Sequence, residues 1–489
     1  MSKSTAKQRI GQLELDLDAL KPVHVSFDGE DISGNGGALL IAQVEKLTGF
    51  IRGAADRLDD HRIAALVKHN LFEQVFQRVL QIIAGAAATS DSDLLRHDPA
   101  FKLAAGRNPI SGEALASQPT QSRLENGRSW KELYRLCQWL VDYYIESHKK
   151  PPKSIVLDFD GSAIETYGLQ LQAFYRSGPY GKYMYFPLFV FDQHGSLLVA
   201  ALRPGDHGEV TLSLPVLKRL VRRLREAWPK VEIFVRADGA FTDAEFYKWM
   251  DENSVKYTLG LKHNNVLLTY SKSARQEASK KFNRKFGPPL FLGKQGEKLK
   301  LETIKFVRAI ADPKERTEAQ HLMNSRRVRV FSQFNYGAKT WSRERRVISR
   351  VDFDDEGVNV RYIVTNVENL APAQVYEGIY CQRARMELWI KNIKETNCTR
   401  LSCAQFKANM FRLLLHAFAY VLLHEVRRRL ANENTSMSLT QLRLQLVFVP
   451  LQVQEHRNSI NVRISATYRH ARTFRLLCKR LGAQSSIAA

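Results

Sequence analysis

Apolar residues recur with helical spacing along the first 150 residues of the chain. In "LFEQVFQRVLQII" they fall at positions 71, 72, 75, 76, 79, 80, 82 and 83, which returns them to one side of a helix. The stretch "SWKELYRLCQWLVDYYIES" repeats this spacing, and "HKKPPKS" follows it. Because proline cannot continue a helix, we place a boundary there. The pattern predicts a helical N-terminal region over residues 1–150.

The pattern then changes to short apolar runs. We predict strands in "SIVLDFDG", in both halves of "YFPLFVFDQHGSLLVAALRPG", in "VEIFVRADG" and in "KYTLGL". Helical spacing in "LSLPVLKRLVRRLREAW" and "FTDAEFYKWMDEN" separates the later strands. The first three strands are close enough in sequence to pair antiparallel, and the later ones alternate with helices as parallel strands do. This order predicts an α/β fold with a ribonuclease-H-like core, whose first part spans 151–263.

The remaining sequence is divided by composition. Residues 264–300 look basic and irregular, and "RRVRVFSQF", "RRVISRVDF" and "VNVRYIVTNV" look like strands. We therefore predict a β-rich insertion over 264–370 and a second part of the core over 371–430. A basic C-terminal region, 431–489, follows as a helical tail.

The charge of the chain indicates its class of partner. Lys and Arg number 73 against 50 for Asp and Glu, a net charge of +23. Such an excess favours a polyanion, with nucleic acid ahead of an anionic membrane surface. The N-terminus lacks a signal-peptide core, and the longest apolar stretch, "LLLHAFAYVLL" (413–423), is too short to span a bilayer. Five scattered cysteines give neither a disulfide framework nor a zinc spacing, which fits a reducing cytosol.

One stretch, "YCQRARMELWIKNIKE", combines a carboxylate with several bases. On a regular helix, Tyr380, Arg383, Glu387 and Lys394 would lie within a stripe about 60° wide. A solvated face with an Arg383–Glu387 pair is the simpler interpretation. Four specified residue types at fixed offsets are harder to assign to chance.

Other acids follow predicted strands. Asp238 comes directly after "VEIFVRA", where the carboxyl ends of α/β strands carry ligand sites, although an Asp before Gly also suits a turn. Asp158 and Asp160 are two apart in "LDFDG" and so share one face of a strand. Asp160 lies at the strand end beside Gly161, which favours it as the reactive acid. Asp158 lies further in, where a supporting role is expected.

In a ribonuclease-H-like fold these acids meet at one sheet edge. Carboxylates without a nearby Cys or His form a hard-oxygen site suited to Mg²⁺ or Mn²⁺. Two such ions serve phosphodiester chemistry, and the basic members of the stripe would then hold phosphates.

The spacing Tyr380–x2–Arg383–x3–Glu387–x6–Lys394 resembles the Y-R-E-K signature of DDE transposases from bacterial insertion sequences. "VLDFDGS", "LRPGD", "VRADGAF" and "GLKHN" further resemble the group numbered 1380 in insertion-sequence nomenclature. The resemblance covers about residues 150–430. It implies a ribonuclease-H-like core with a β-rich insertion and metal ligation by Asp160, Asp238 and Glu387. It also implies cutting at terminal inverted repeats and joining of the ends to target DNA.

The expected function is therefore a metal-dependent DNA transposase, acting on double-stranded DNA as a homodimer and without a membrane. A bacterial cytoplasmic location, on the nucleoid when bound, is expected. Two alternatives stay open: a structure-specific nuclease on the same core, and an inactive basic DNA-binding protein.

Overall fold

The computed structural model of the protein describes residues 13–15, 23–26, 31–177, 180–208, 210–399, 401–430 and 437–483. It is a mixed α/β structure. Its helices are α1 Ala38–Thr48, α2 Phe50–Ala55, α3 Leu71–Ile83, α4 Ser92–Leu95, α5 Pro99–Ala104, α6 Gln118–Asn126, α7 Trp130–Glu146, α8 Ser213–Ala227, α9 Ala244–Glu252, α10 Asn265–Tyr270, α11 Lys272–Phe286, α12 Gly293–Ala309, α13 Pro313–Ser325, α14 Ala384–Ile393, α15 Phe406–Leu430, α16 Leu439–Leu442 and α17 Ala471–Arg480.

The strands are β1 Leu13–Leu15, β2 Val23–Val25, β3 Ile32–Ser33, β4 Ser154–Gly161, β5 Ile164–Glu165, β6 Phe174–Arg176, β7 Lys182–Tyr185, β8 Leu188–Asp192, β9 Leu197–Ala201, β10 Glu232–Ala237, β11 Lys256–Leu261, β12 Arg327–Tyr336, β13 Arg345–Asp354, β14 Gly357–Thr365, β15 Leu451–Glu455 and β16 Ile460–Ile464. Short 3-10 turns cover Ala64–Leu66, Thr89–Asp91, Gly239–Phe241 and Tyr380–Arg383, and π-helical turns cover Gln374–Ile379, Lys394–Cys398 and Arg443–Val447.

The chain packs as two compact units. One unites residues 1–136 with 392–489, and the other comprises residues 137–391. The divisions at 150, 263, 370 and 430 that the sequence suggests stay predictions.

An eight-stranded sheet organises the unit of residues 137–391. Its order is β12-β13-β14-β11-β10-β4-β8-β9. The five strands predicted between 154 and 261 are all present, with β4, β8 and β9 antiparallel and β4, β10 and β11 parallel. Ile155, Leu157 and Phe159 of β4 are fully buried, because β4 is a central strand. The sheet therefore places the end of β4 beside the end of β10.

The insertion differs from its prediction in two ways. Residues 264–300 are not irregular: α10, α11 and the start of α12 occupy them, and α13 follows. In α11, Ala274, Ala278 and Phe282 are buried at four-residue spacing, a helical signal that the many lysines and arginines obscured. The predicted strands β12, β13 and β14 are present, but β14 pairs antiparallel with β11. The insertion is thus half helical, and its strands extend the core sheet.

The 25-residue helix α15 lies at the centre of the unit of residues 1–136 and 392–489. It packs against α1, α3, α6 and α17. Among the described residues it is the one helix long and apolar enough to cross a membrane, and nearly all of it is buried in the protein. The apolar helix is therefore much longer than the eleven residues read from the sequence. A buried core helix passes the same length test.

The C-terminal region is only partly helical. Residues 451–464 form the hairpin β15–β16, and β15 pairs with β3 near the start of the described chain. The expectation of a helical tail is wrong for this segment. Its alternating pattern, "LQVQE" and "INVRI", has the period of two that strands show. Pairing with β3, more than 400 residues earlier, is not readable from local sequence.

Candidate active site

Strand β4 delivers two acids with different surroundings. Asp158 is completely buried within the strand, whereas the side chain of Asp160, at the strand end, retains 17% exposure. The two-residue spacing puts both on one side of the strand, as predicted. Only Asp160 lies where a ligand from solvent would reach it.

Asp158 is held by a buried arginine. Arg236 Nε and Nη2 donate to the two carboxylate oxygens of Asp158, each at 2.6 Å. The two residues are direct neighbours in the parallel pairing of β4 and β10. The third nitrogen, Arg236 Nη1, donates to the backbone carbonyl of Ile379 at 3.0 Å. Asp158 therefore positions Arg236, which in turn holds the backbone directly before Tyr380.

Asp238 directly follows β10, and Asp160 is the last residue but one of β4. Ala237 pairs with Phe159 across the two parallel strands, so the acids that follow these residues lie at the same sheet edge. Asp238 Oδ1 accepts a hydrogen bond from the Ala240 backbone N–H at 2.9 Å and caps the 3-10 turn. Asp238 is thus a turn residue, as the simpler interpretation held. Its second carboxylate oxygen takes no part in this hydrogen bond.

The segment around Glu387 is not the regular helix that the stripe assumed. Tyr380–Arg383 is a 3-10 turn, α14 begins at Ala384, and Lys394 begins a π-helical turn. The regular rotation of 100° per residue therefore does not hold from Tyr380 to Lys394, and the predicted stripe cannot be derived from it. Lys394 also belongs to the unit of residues 1–136 and 392–489, whereas the acids belong to the unit of residues 137–391.

Arg383 brings the three acids together electrostatically. Its Nη1 lies 3.6 Å from Asp160 Oδ2, and its Nη2 lies 3.5 Å from Glu387 Oε1. Burial alone would lower the pKa of Arg383, but neighbouring groups outweigh it and the pKa is raised; these are Tyr380, Asp160, Asp238 and Glu387. One guanidinium thus lies within electrostatic reach of all three predicted acids. The Glu387 side chain is 66% exposed and keeps rotamer freedom.

Tyr380 closes the site against the backbone of Asp238. Burial raises the pKa of Tyr380, with Arg383 opposing and Asp238 adding to the rise. A Cβ on Gly260 would lie 2.8 Å from the Tyr380 hydroxyl and 2.6 Å from the Gly239 nitrogen. Glycine at 260 is therefore what lets β11, the Asp238 turn and Tyr380 approach so closely.

An open cleft of about 450 Å³ adjoins these groups. Basic residues outside the predicted set line it, among them Lys262, Arg350 and Arg361. Sequence reasoning missed these residues, and it missed Arg236. Arg236 was detectable as an arginine inside a buried strand, which requires a counterion. The clustering of the others depends on β14 joining the core sheet.

Comparison with known proteins decides the family. The family model of the transposase DDE domain, group 1, matches residues 15–486. The chain belongs to this family. No curated protein matches it. Among solved structures, a piggyBac transposase synaptic complex with hairpin DNA is 11% identical and has a TM-score of 0.38, covering 83% of this chain and 78% of that chain.

The DDE family generally uses divalent metal ions. The oxygen donors of the three acids are those that Mg²⁺ and Mn²⁺ prefer. Among the described residues, no group of three or more His, Cys, Asp or Glu stands close enough to hold an ion. Arg383 instead supplies positive charge between Asp160 and Glu387. Both contacts exceed the 2.7–2.9 Å of a charge-assisted hydrogen bond. The donor chemistry fits a hard divalent cation.

Proposed function

We propose that this transposase is an insertion-sequence enzyme of the Y-R-E-K type, akin to the group numbered 1380. It would cut DNA at terminal inverted repeats and join the 3′ ends to target DNA. The observation that carries the proposal is that Arg383 contacts both Asp160 and Glu387, while Asp238 follows β10 at the same sheet edge as Asp160. The acids come from a first strand, a fourth strand and a late helix, as the ribonuclease-H-like arrangement requires.

The sheet order supports a ribonuclease-H-like core. The five core strands lie side by side in the order β9-β8-β4-β10-β11. Counted along the sequence, these are the third, second, first, fourth and fifth strands of the core. The first three are antiparallel and the last two are parallel to the first. The family match over nearly the whole chain is consistent with this arrangement.

Asp160, Asp238 and Glu387 are the residues that would hold Mg²⁺ or Mn²⁺. Ions held there, two in the usual form of this chemistry, would supply activation of a water or 3′-hydroxyl and stabilisation of the leaving oxygen. Arg383 and Tyr380 would contact the phosphate next to the cut bond, with Arg383 as a bidentate donor. Lys394 would contact phosphate as a point charge. Two DNA ends must be held at once, which supports a homodimer in the DNA complex.

The buried pair of Asp158 and Arg236 supports a positioning role for Asp158. Every guanidinium nitrogen of Arg236 is engaged, two with Asp158 and one with Ile379. Through Arg236, Asp158 thus holds the backbone that precedes Tyr380, while Asp160 is the first reactive acid. The net charge of +23 is consistent with double-stranded DNA as the partner.

The test is single-turnover nicking of DNA that carries the ends of the source element. We expect Asp160→Asn, Asp238→Asn and Glu387→Gln each to abolish nicking while end binding persists. Glu245→Gln, at an exposed acid on α9, is the matched control and should cut normally. The assignment is overturned if an amide variant at any of the three acids still cuts at the wild-type rate.

A further inference from the structure

A small sheet follows the first acid directly along the chain. It consists of β5, β6 and β7, and its described residues are 164–177 and 180–185. Within residues 167–183 it exposes seven large apolar side chains: Tyr167, Leu169, Leu171, Phe174, Tyr175, Tyr180 and Tyr183. Four of the six exposed tyrosines among the described residues lie in this segment, Tyr134 and Tyr270 being the other two. Such a concentration marks an interaction surface.

Two of these tyrosines form a pair on one face of the small sheet. Tyr175 of β6 is directly opposite Tyr183 of β7, so both side chains point the same way. Their rings contact edge-on with centroids 5.5 Å apart, and each residue is 57% exposed. Met184, which points to the opposite face, is buried. The small sheet therefore packs around Met184 on one face and presents the tyrosine pair from the other.

The rings are presented by an ordered support. The guanidinium of Arg176 lies 4.3 Å from the ring centre of Phe186, and the Tyr185 hydroxyl donates to the Leu171 carbonyl at 2.8 Å. Lys182 pairs with Glu165 across the strands at 2.7 Å. A Cβ on Gly205 would lie 2.1 Å from the Met184 carbonyl oxygen, so the next loop packs directly on the sheet. Preorganised rings lose little entropy on binding.

We propose that the small sheet is a stacking surface for unpaired bases of DNA next to the cut phosphate. The proposal rests on the proposed function and names the part of the substrate that this surface would take. Aromatic rings stack on bases of any sequence, because every base has a π face. Leu169 is fully exposed and suits the apolar wedge that separates stacked bases. The net charge of +23 draws DNA to the chain as a whole.

The distance along the chain limits which bases are within reach. The Thr166 backbone N–H donates to the Tyr183 carbonyl, so Thr166 lies beside the tyrosine pair. Six residues separate it from Asp160, and a fully extended chain spans at most about 21 Å over that length. At about 3.4 Å per stacked nucleotide, this corresponds to at most about six nucleotides from the phosphate that Asp160 would act on.

A second copy of the chain is the competing occupant, and two features disfavour it. Obligate interfaces resemble a protein core, whereas four of the seven exposed side chains here are tyrosines, whose hydroxyls are polar. Two copies of a chain with a net charge of +23 also repel each other unless a polyanion lies between them.

The experiment uses the full-length chain with a chelator, so that no cutting occurs. The probe is a duplex end with a single-stranded overhang that contains 2-aminopurine, compared with a blunt duplex of the same sequence. We expect the wild-type protein to quench the overhang fluorescence by stacking. Tyr175→Ala/Tyr183→Ala should abolish quenching and weaken overhang binding about 5- to 150-fold, with blunt-duplex binding unchanged. Tyr175→Phe/Tyr183→Phe keeps both rings and should behave as wild type.

Tyr167 lies outside the strands, so Tyr167→Ala is the alternative test variant if the double alanine variant does not fold. This single substitution should also reduce quenching. The proposal is overturned if the folded alanine variants quench as wild type. It is also overturned if they change the oligomeric state and leave overhang binding intact, since the surface would then belong to a second copy. Because stacking is read without cutting, a chain that quenches and never cuts would refute the proposed function and leave this inference standing.

Discussion

Replacing Asp158 by Asn tests the division of labour between the two acids of β4. Asp158 and Arg236 form a buried pair with two bonds of 2.6 Å, and Arg236 also holds the Ile379 carbonyl. The amide removes the negative charge, so Arg236 stays buried without a counterion. Removing one partner of a buried ion pair costs about 3–5 kcal/mol.

The size of this loss is measurable by thermal unfolding. In a unit of 150–250 residues, 1 kcal/mol corresponds to about 2–4 °C, so we expect the transition to fall by about 6–20 °C. Asp158→Asn/Arg236→Gln removes both charges and should recover part of the loss. Glu226→Gln, which breaks the exposed Arg222–Glu226 pair on α8, is the control and should change the free energy of unfolding by less than about 1 kcal/mol.

The same variant should lose activity only in part. Misplacement of Ile379 shifts Tyr380 and Arg383, and the loss of a residue that holds site residues in place costs about 10- to 100-fold in activity. We expect that loss in single-turnover nicking below the transition temperature. An unchanged melting temperature would refute the buried-pair argument. Complete loss of cutting in a folded variant that still binds DNA would mean that Asp158 acts with Asp160 on the metals.

The remaining predictions concern metal, salt and pH. Mg²⁺ or Mn²⁺ should support cutting and Ca²⁺ only DNA binding, and cutting in excess chelator would exclude a metal mechanism. Lys394→Ala should flatten the slope of log affinity against log salt by about one, measured by DNA titration, and an unchanged slope would exclude a phosphate contact. Burial alone would raise the pKa of Glu73, but His69 and Arg107 outweigh it and hold the pKa at about 2, below its ordinary 4.5. Because the folded pKa is depressed, Glu73 contributes about 3 kcal/mol above pH 4.5 that is lost as the pH falls towards 2. The free energy of unfolding of Glu73→Gln, measured with denaturant, should therefore fall less steeply than that of wild type as the pH is lowered across that window. Equal slopes for the two proteins would refute the argument.

The core strands were predictable because their signal is local. "SIVLDFDG" carries a buried strand ending at a glycine, and β4 spans those residues as Ser154–Gly161. The order of strands and helices was enough to place the ends of β4 and β10 at one edge. The difference between Asp158 and Asp160 also followed from depth in the strand, since one is buried and the other is not.

The parts that sequence did not reveal depend on distant contacts. The 3-10 turn at Tyr380 arises where Ile379 is held by Arg236, 143 residues earlier in the chain. The pairing of β15 with β3 and of β14 with β11 joins segments whose own patterns contain no information about their partners. In α11 the charged residues dominate the composition and obscure a narrow apolar stripe. Long-range pairing and the local helix geometry that it imposes are therefore what the sequence pattern left out.

The most direct measurement of the central claim is a joining assay. The purified full-length protein and Mg²⁺ are incubated with labelled DNA that carries both ends of its source element, together with a supercoiled target, and the products are resolved on a denaturing gel. We predict cut ends whose 3′ strands are covalently joined to target DNA, and neither species with Glu387→Gln. Nicked ends without joined products would show a nuclease, and a shifted complex without any cutting would show a DNA-binding protein; either result would contradict the account.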